Sequence, residues 1–181
     1  MLTLPVHDAT RFVLVRPHYP ENVGAAARAI KTMGFTRLAL VKPGRLAVPE
    51  HEMAHKMAVK AWDVLEGAAR HESLAEAIAG VDWVFATTSR RGVSGVLTPR
   101  QAAPRIVEAA QRQERVAIVF GNEKTGLAAE DLAQASQYLR IPMAADQPSI
   151  NLAQAAQLIA YELFVAALEV RNAERGYTPG S

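Results

Sequence analysis

The sequence predicts an α/β fold, a parallel sheet flanked by helices. Three observations carry that prediction. Short runs rich in β-branched and aromatic residues alternate with stretches of helical periodicity. The runs are continuously apolar rather than alternating, as in strands covered on both faces. Glycine- or hydroxyl-rich segments follow several runs, where an open α/β sheet binds ligands. At 181 residues, half of them hydrophobic, the chain can fill one such domain.

In chain order, the first strand is expected at Phe12–Val15 and the first helix at Asn22–Met33. That helix presents Val23, Gly24, Ala25, Ala26, Ala27, Ala29 and Ile30, with one fixed cation, Arg28. Gly24 lies one turn before Arg28 on the same face, so nothing bulky crowds the guanidinium. A guanidinium stays charged and matches planar or phosphate oxygens. Arg28 reads either as a solvated cation or as a contact for an anionic ligand. The second strand is Leu38–Val41, followed by a helix over roughly Pro49–Trp62. A weaker strand near Ala68–His71 and a helix at Ser73–Ile78 lead to the strand Trp83–Thr87. A helix at Pro99–Gln113 precedes the strand Val116–Phe120; a short helix near Ala128–Ala133 precedes Tyr138–Ile141.

The last and longest helix is expected at Asn151–Val170. Leu152, Ala155, Ala156, Ile159, Leu163, Ala166 and Val170 form one stripe; Gln157, Tyr161, Phe164 and Leu168 form a second. Two apolar faces mean burial on two sides, within the monomer or against a second copy in a homodimer. Residues 1–172 are expected as one domain and 173–181 as a flexible tail.

There are no cysteines, which excludes disulfides and thiolate chemistry and fits a reducing cytoplasm. No signal peptide and no apolar run long enough to span a bilayer are seen, so a cytoplasmic protein with no membrane partner is expected. The net charge of +2 is uneven: residues 1–62 carry nine Lys/Arg against four Asp/Glu. A basic first third suits a polyanionic partner, or is ordinary scatter in surface charge.

Three segments could carry chemistry. Thr87-Thr88-Ser89-Arg90-Arg91-Gly92 offers hydroxyls and two cations after a strand. Arg90 and Arg91 are candidates for phosphate contact or a solvated pair. Gly121-Asn122-Glu123-Lys124-Thr125-Gly126-Leu127 offers tight backbone paths around one carboxylate. Ile141–Leu152 runs straight into the last helix, where Ser149 or Asn151 can cap it or face a ligand. No Gly-x-Gly-x-x-Gly or P-loop occurs, against an ordinary dinucleotide or nucleoside triphosphate site. His18 can sit in a turn or touch RNA, and Trp62 and Trp83 are expected to pack. A rival signature is His51-Glu52-Met53-Ala54-His55, which matches the H-E-x-x-H of zinc hydrolases but lacks an identifiable third ligand.

Taken in order, Asn22–Phe35, Val119–Leu127, and Ile141–Met143 with Pro148–Ala153 resemble the three motifs of the SPOUT-class RNA 2′-O-methyltransferases of the SpoU/TrmH family. The subgroup they are most similar to is the TrmJ-type tRNA methyltransferases. The resemblance implies a C-terminal trefoil knot, which periodicity cannot reveal. It implies S-adenosylmethionine as cofactor, with contacts from Thr87, Thr88, Ser89, Gly121, Ile141, Pro148, Ser149 and Ile150. It implies a homodimer in which Arg28 approaches the partner's cofactor, with Asn22, Glu123, Ser149 and Asn151 completing the catalytic site. No metal is expected. The implied substrate is tRNA, methylated at cytidine or uridine 32 of the anticodon loop; another tRNA or rRNA nucleotide is the alternative.

Overall fold

Seven strands, all parallel, form one sheet in the computed structural model, which describes residues 1–145 and 150–176. They are β1 (Thr10–Val15), β2 (Leu38–Val41), β3 (Ala69–His71), β4 (Trp83–Thr87), β5 (Val96–Leu97), β6 (Val116–Phe120) and β7 (Gln137–Leu139). Their spatial order is β3-β2-β1-β6-β4-β7-β5. In register, Phe12 lies opposite Leu38 on one side and Ile118 on the other. The helices are α1 (Pro5–Ala9), α2 (Pro20–Thr32), α3 (Glu52–Met57), α4 (Trp62–Glu66), α5 (Leu74–Ala77), α6 (Pro99–Gln111), α7 (Ala129–Leu132) and α8 (Leu152–Glu174).

Side chains alternate between the two faces along each strand. Phe12, Leu14, Ile118 and Phe120 meet α2, α6 and α8 on one face. Phe12 stacks near Phe120 at 6.2 Å and meets Phe35 edge-on at 5.2 Å. Val13, Val15, Ala117 and Val119 point to the other face, under Leu74 and Ala77 of α5 and Leu132 of α7. Each large side chain buried here stabilises the sheet by roughly 1.5–3 kcal/mol, which explains the unbroken apolar strands.

Several elements depart from the sequence expectation. Within the helix expected over Pro49–Trp62 only α3 forms, because His51 caps it and Lys60 adopts a left-handed backbone (φ 66°) before α4 starts at Trp62. A left-handed lysine leaves no trace in hydrophobic periodicity. α1 and β5 are too short to show a period. α1 is fixed by His7, whose buried ring accepts from the Leu4 N–H (2.9 Å) and lies 2.8 Å from the Met33 carbonyl. Burial lowers the His7 pKa, in favour of the neutral ring.

α8 extends to Glu174, so its last turn takes in residues expected in the tail; residues 177–181 lie outside the described residues. α8 is long and apolar enough by length and composition alone to cross a membrane. Its Leu152, Ala156, Ile159, Ala160 and Leu163 are buried in the main core, the setting of a central helix. Of its expected second stripe, Phe164 and Leu168 pack against the core. The outward apolar groups are Leu158 and Tyr161, 45% and 49% exposed.

Gly24 has a different reason from the one its spacing suggests. A Cβ there would lie 1.9 Å from the Ala54 carbonyl oxygen, so glycine lets α2 and α3 touch. Gly24→Ala should lower stability by about 1–3 kcal/mol in denaturant unfolding, despite alanine's better helix propensity. An unchanged midpoint would contradict this packing.

Candidate active site at the carboxyl ends of the strands

The ends of β4, β6 and β7 open into one cleft of about 460 Å³. Thr87, Thr88 and Ser89 form one wall, Gly121–Gly126 a second, and Ile141, Met143 and Ile150 a third. Leu139, Leu152, Ala155 and Ile159 give it an apolar floor. The sequence-predicted residues Thr87, Thr88, Ser89, Gly121, Ile141, Ile150 and Glu123 all line this space. Pro148 and Ser149 lie outside the described residues.

Backbone bonds set the first wall. The Thr87 hydroxyl donates to the Val119 carbonyl (3.1 Å), and the Thr88 N–H donates to the Leu139 carbonyl (3.0 Å). Arg140 donates to the carbonyls of Thr88 and Arg90. Arg90 itself donates to the Leu127 carbonyl (3.2 Å), so its guanidinium braces the loops, while Arg91 lines the cleft.

The second wall is a tight turn. A Cβ on Gly121 would lie 2.2 Å from the Gly126 carbonyl carbon, and Gly126 is left-handed (φ 69°). Only glycines allow this approach. Asn122, which the sequence reading did not single out, organises the turn. Its carboxamide oxygen accepts from the Lys124 and Thr125 N–H groups (2.9 and 3.1 Å), and its amide donates to the Arg16 carbonyl (2.8 Å). An Asn after a strand and before a Thr-Gly turn is the signal that could have found it.

Glu123 is the hub. Its carboxylate accepts from the N–H groups of His18 (2.9 Å) and Tyr19 (3.0 Å) and from the Asn22 side-chain amide (3.0 Å). Burial pushes its pKa up. The bonds from Asn22, Tyr19 and His18 outweigh that and hold it below the ordinary value. Asn151 caps α8, accepting from the Ala153 and Gln154 N–H groups, and also donates to the Asn22 carboxamide oxygen (3.1 Å). Capping and site contact, posed as alternatives by the sequence, coexist in one side chain.

Arg28 is not in this cleft. It is exposed on α2, and among the described residues its guanidinium makes no hydrogen bond or ion pair. Six residues beyond Asn22, it sits about 9 Å along the axis and about 120° around it.

The zinc reading does not survive. His51 stands outside α3 as its cap, with Nδ1 accepting from the Met53 N–H (3.0 Å). His55 stacks on Trp62 (4.8 Å, 4°). Among the described residues no cluster of three potential ligands could hold a metal.

A family model described as the SpoU rRNA Methylase family matches residues 9–161. The chain is 37% identical over 167 residues to the tRNA (cytidine/uridine/adenosine-2′-O-)-methyltransferase TrmJ of Pseudomonas aeruginosa, covering 91% of this chain and 64% of that protein. A probable methyltransferase from Bordetella pertussis has a similar crystal structure, with a TM-score of 0.85 and 38% identity, covering 90% of this chain and 98% of that one. An AdoMet-bound rRNA methyltransferase from Sinorhizobium meliloti superposes with a TM-score of 0.68 at 25% identity, covering 88% of this chain and 59% of that one. The chain spans 63–66% of the length of the curated relatives it matches.

Glu123→Gln would face N–H donors with an amide and should cost on the order of 1–2 kcal/mol at neutral pH, allowing for solvent screening. The wild-type carboxylate titrates lower folded than unfolded, so its contribution is complete above the unfolded value near 4.3 and fades as pH falls through the folded one. Urea unfolding between about pH 7 and pH 3 should show the wild-type advantage shrinking on acidification. A gap independent of pH would contradict the charge-based anchor.

Proposed function

The chain belongs to the SpoU rRNA methylase family, and on that premise we propose that it is an S-adenosylmethionine-dependent RNA ribose 2′-O-methyltransferase. The observation that carries this reading is the convergence of Thr87–Ser89, Gly121–Gly126 and the residues Ile141, Met143 and Ile150 on one cleft, joined through Glu123 to the start of α2. The cleft suits the cofactor chemically. Its volume is in the range of small-molecule sites. Leu139, Ile141 and Ile150 offer an apolar slot for an adenine, Thr88 and Ser89 offer hydroxyls, and Arg91 is a cation for a carboxylate. When bound, S-adenosylmethionine supplies an electrophilic methyl group on a sulfonium. A trefoil knot in the C-terminal third belongs to the same reading.

The chain's own residues must place a ribose hydroxyl and help it lose a proton. Glu123 is a poor base, because its oxygens are already occupied and its pKa is lowered. With Asn22 and Asn151 it acts as a positioning group. Arg28 cannot serve as a base, since a guanidinium does not deprotonate in proteins. It can hold the neighbouring phosphate and stabilise the developing alkoxide. The proton then leaves to a phosphate oxygen or water. Because Arg28 does not line its own cleft, a homodimer would let it serve the partner's cleft. The exposed Leu158 and Tyr161 on α8 offer an apolar patch for that pairing.

The RNA substrate we propose is tRNA, with cytidine or uridine 32 as the target and a cytoplasmic location to match. A different tRNA or rRNA nucleotide is the alternative, decided by mapping 2′-O-methyl sites in cells lacking the gene. The direct experiment uses tritiated methyl on S-adenosylmethionine with unmodified tRNA. Label should appear on ribose, and Arg28→Ala should fold and bind cofactor yet lose about 10²–10³ in rate. Arg28→Lys should recover only part, because the planar fork is gone. Label confined to bases, or wild-type turnover by Arg28→Ala, would overturn the reading.

A further inference from the structure

One aromatic beside the cleft has no part in the reaction outlined above. Tyr19 is 37% exposed and sits immediately before α2. Its ring meets His18 edge-on at 4.6 Å (88°), and Lys124 Nζ lies 5.6 Å from its centroid. The backbone of both His18 and Tyr19 is already fixed by Glu123, and the Tyr19 side chain makes no capping bond to α2. The ring is therefore not needed to hold the chain in place. It is a large, rigid, part-exposed π surface with a cation beside it. Lys124 also lines the cleft, so ring and cleft are adjacent.

Single-stranded RNA is gripped by this combination: bases stack on aromatic rings while cations take the phosphates. Stacking tolerates any base, since each has a π face. We propose that Tyr19, steadied by His18 and Lys124, is a stacking platform for an unpaired base of the RNA substrate, with Lys124 placed for the adjoining phosphate. This rests on the RNA-methyltransferase reading and extends it to a substrate-holding surface. The platform positions the nucleotide next to the reacting ribose and takes no part in the chemistry.

The test uses the full chain with an unmodified tRNA transcript, measuring equilibrium binding by anisotropy and methyl transfer at varied RNA. Tyr19→Ala and Tyr19→Leu should raise Kd and KM about five- to hundred-fold, with the loss falling on KM rather than kcat. Tyr19→Trp should restore binding. The salt dependence should keep its slope in Tyr19→Ala and flatten by about one phosphate in Lys124→Ala. Calorimetry with S-adenosylmethionine should give the wild-type affinity for Tyr19→Ala. Unchanged Kd and KM in Tyr19→Ala, tryptophan as poor as alanine, or a parallel loss of cofactor affinity would overturn the platform. A wild type that binds the transcript but transfers no methyl defeats the methyltransferase reading, and the binding series alone then judges the platform. A wild type that transfers normally beside an unaffected Tyr19→Ala defeats the platform alone. A wild type that does not bind the transcript defeats both.

Discussion

The Glu123 carboxylate is the point through which this site is assembled. It stands at the end of β6 and takes hydrogen bonds from the His18 and Tyr19 backbone and from Asn22. Those bonds fix how α2 leaves β1. Asn22 then passes the constraint to Asn151, and so to the first turn of α8. A single ionised group thus ties together three segments more than a hundred residues apart in two cases. Bonds to a charged acceptor are stronger than neutral ones, so losing the charge weakens every N–H bond to this side chain at once.

Geometry also separates roles that residue identity alone runs together. Asn22 bridges Glu123 and Asn151, and Glu123 is further held by the His18 and Tyr19 N–H groups, so the three fit a positioning role. The glycines have packing reasons: Gly24 admits Ala54, and Gly121 admits Gly126. Arg28 is left as the exposed cation of α2, outside the lining of the cleft in its own chain. In the proposed homodimer, a second copy would bring this charge to the other cleft.

The central strands were legible because they are apolar on both faces. Leu38–Val41, Trp83–Thr87 and Val116–Phe120 begin and end where the β-branched runs do. The cleft was legible as three loops whose glycines and hydroxyls follow those strands. What stayed hidden depends on single backbone angles or on contacts distant in sequence. Lys60 breaks a helix by turning left-handed, and Asn122 reaches back to the Arg16 carbonyl. The H-E-x-x-H spacing misled because His51 caps its helix instead of lying within it. Gly24 beside Arg28 suggested room for a guanidinium, and only the packing of α3 shows what fills that room.

The central claim is that the cleft and Arg28 act together across two subunits. It is tested most directly by mixed dimers. One subunit carries Arg28→Ala with an intact cleft. The other keeps Arg28 and has its cleft filled by Ser89→Trp. Each variant alone should be inactive, while the mixed dimer should recover one working site, about half the wild-type rate per dimer. Mixed dimers as inactive as either parent, with both subunits folded and paired, would contradict the account.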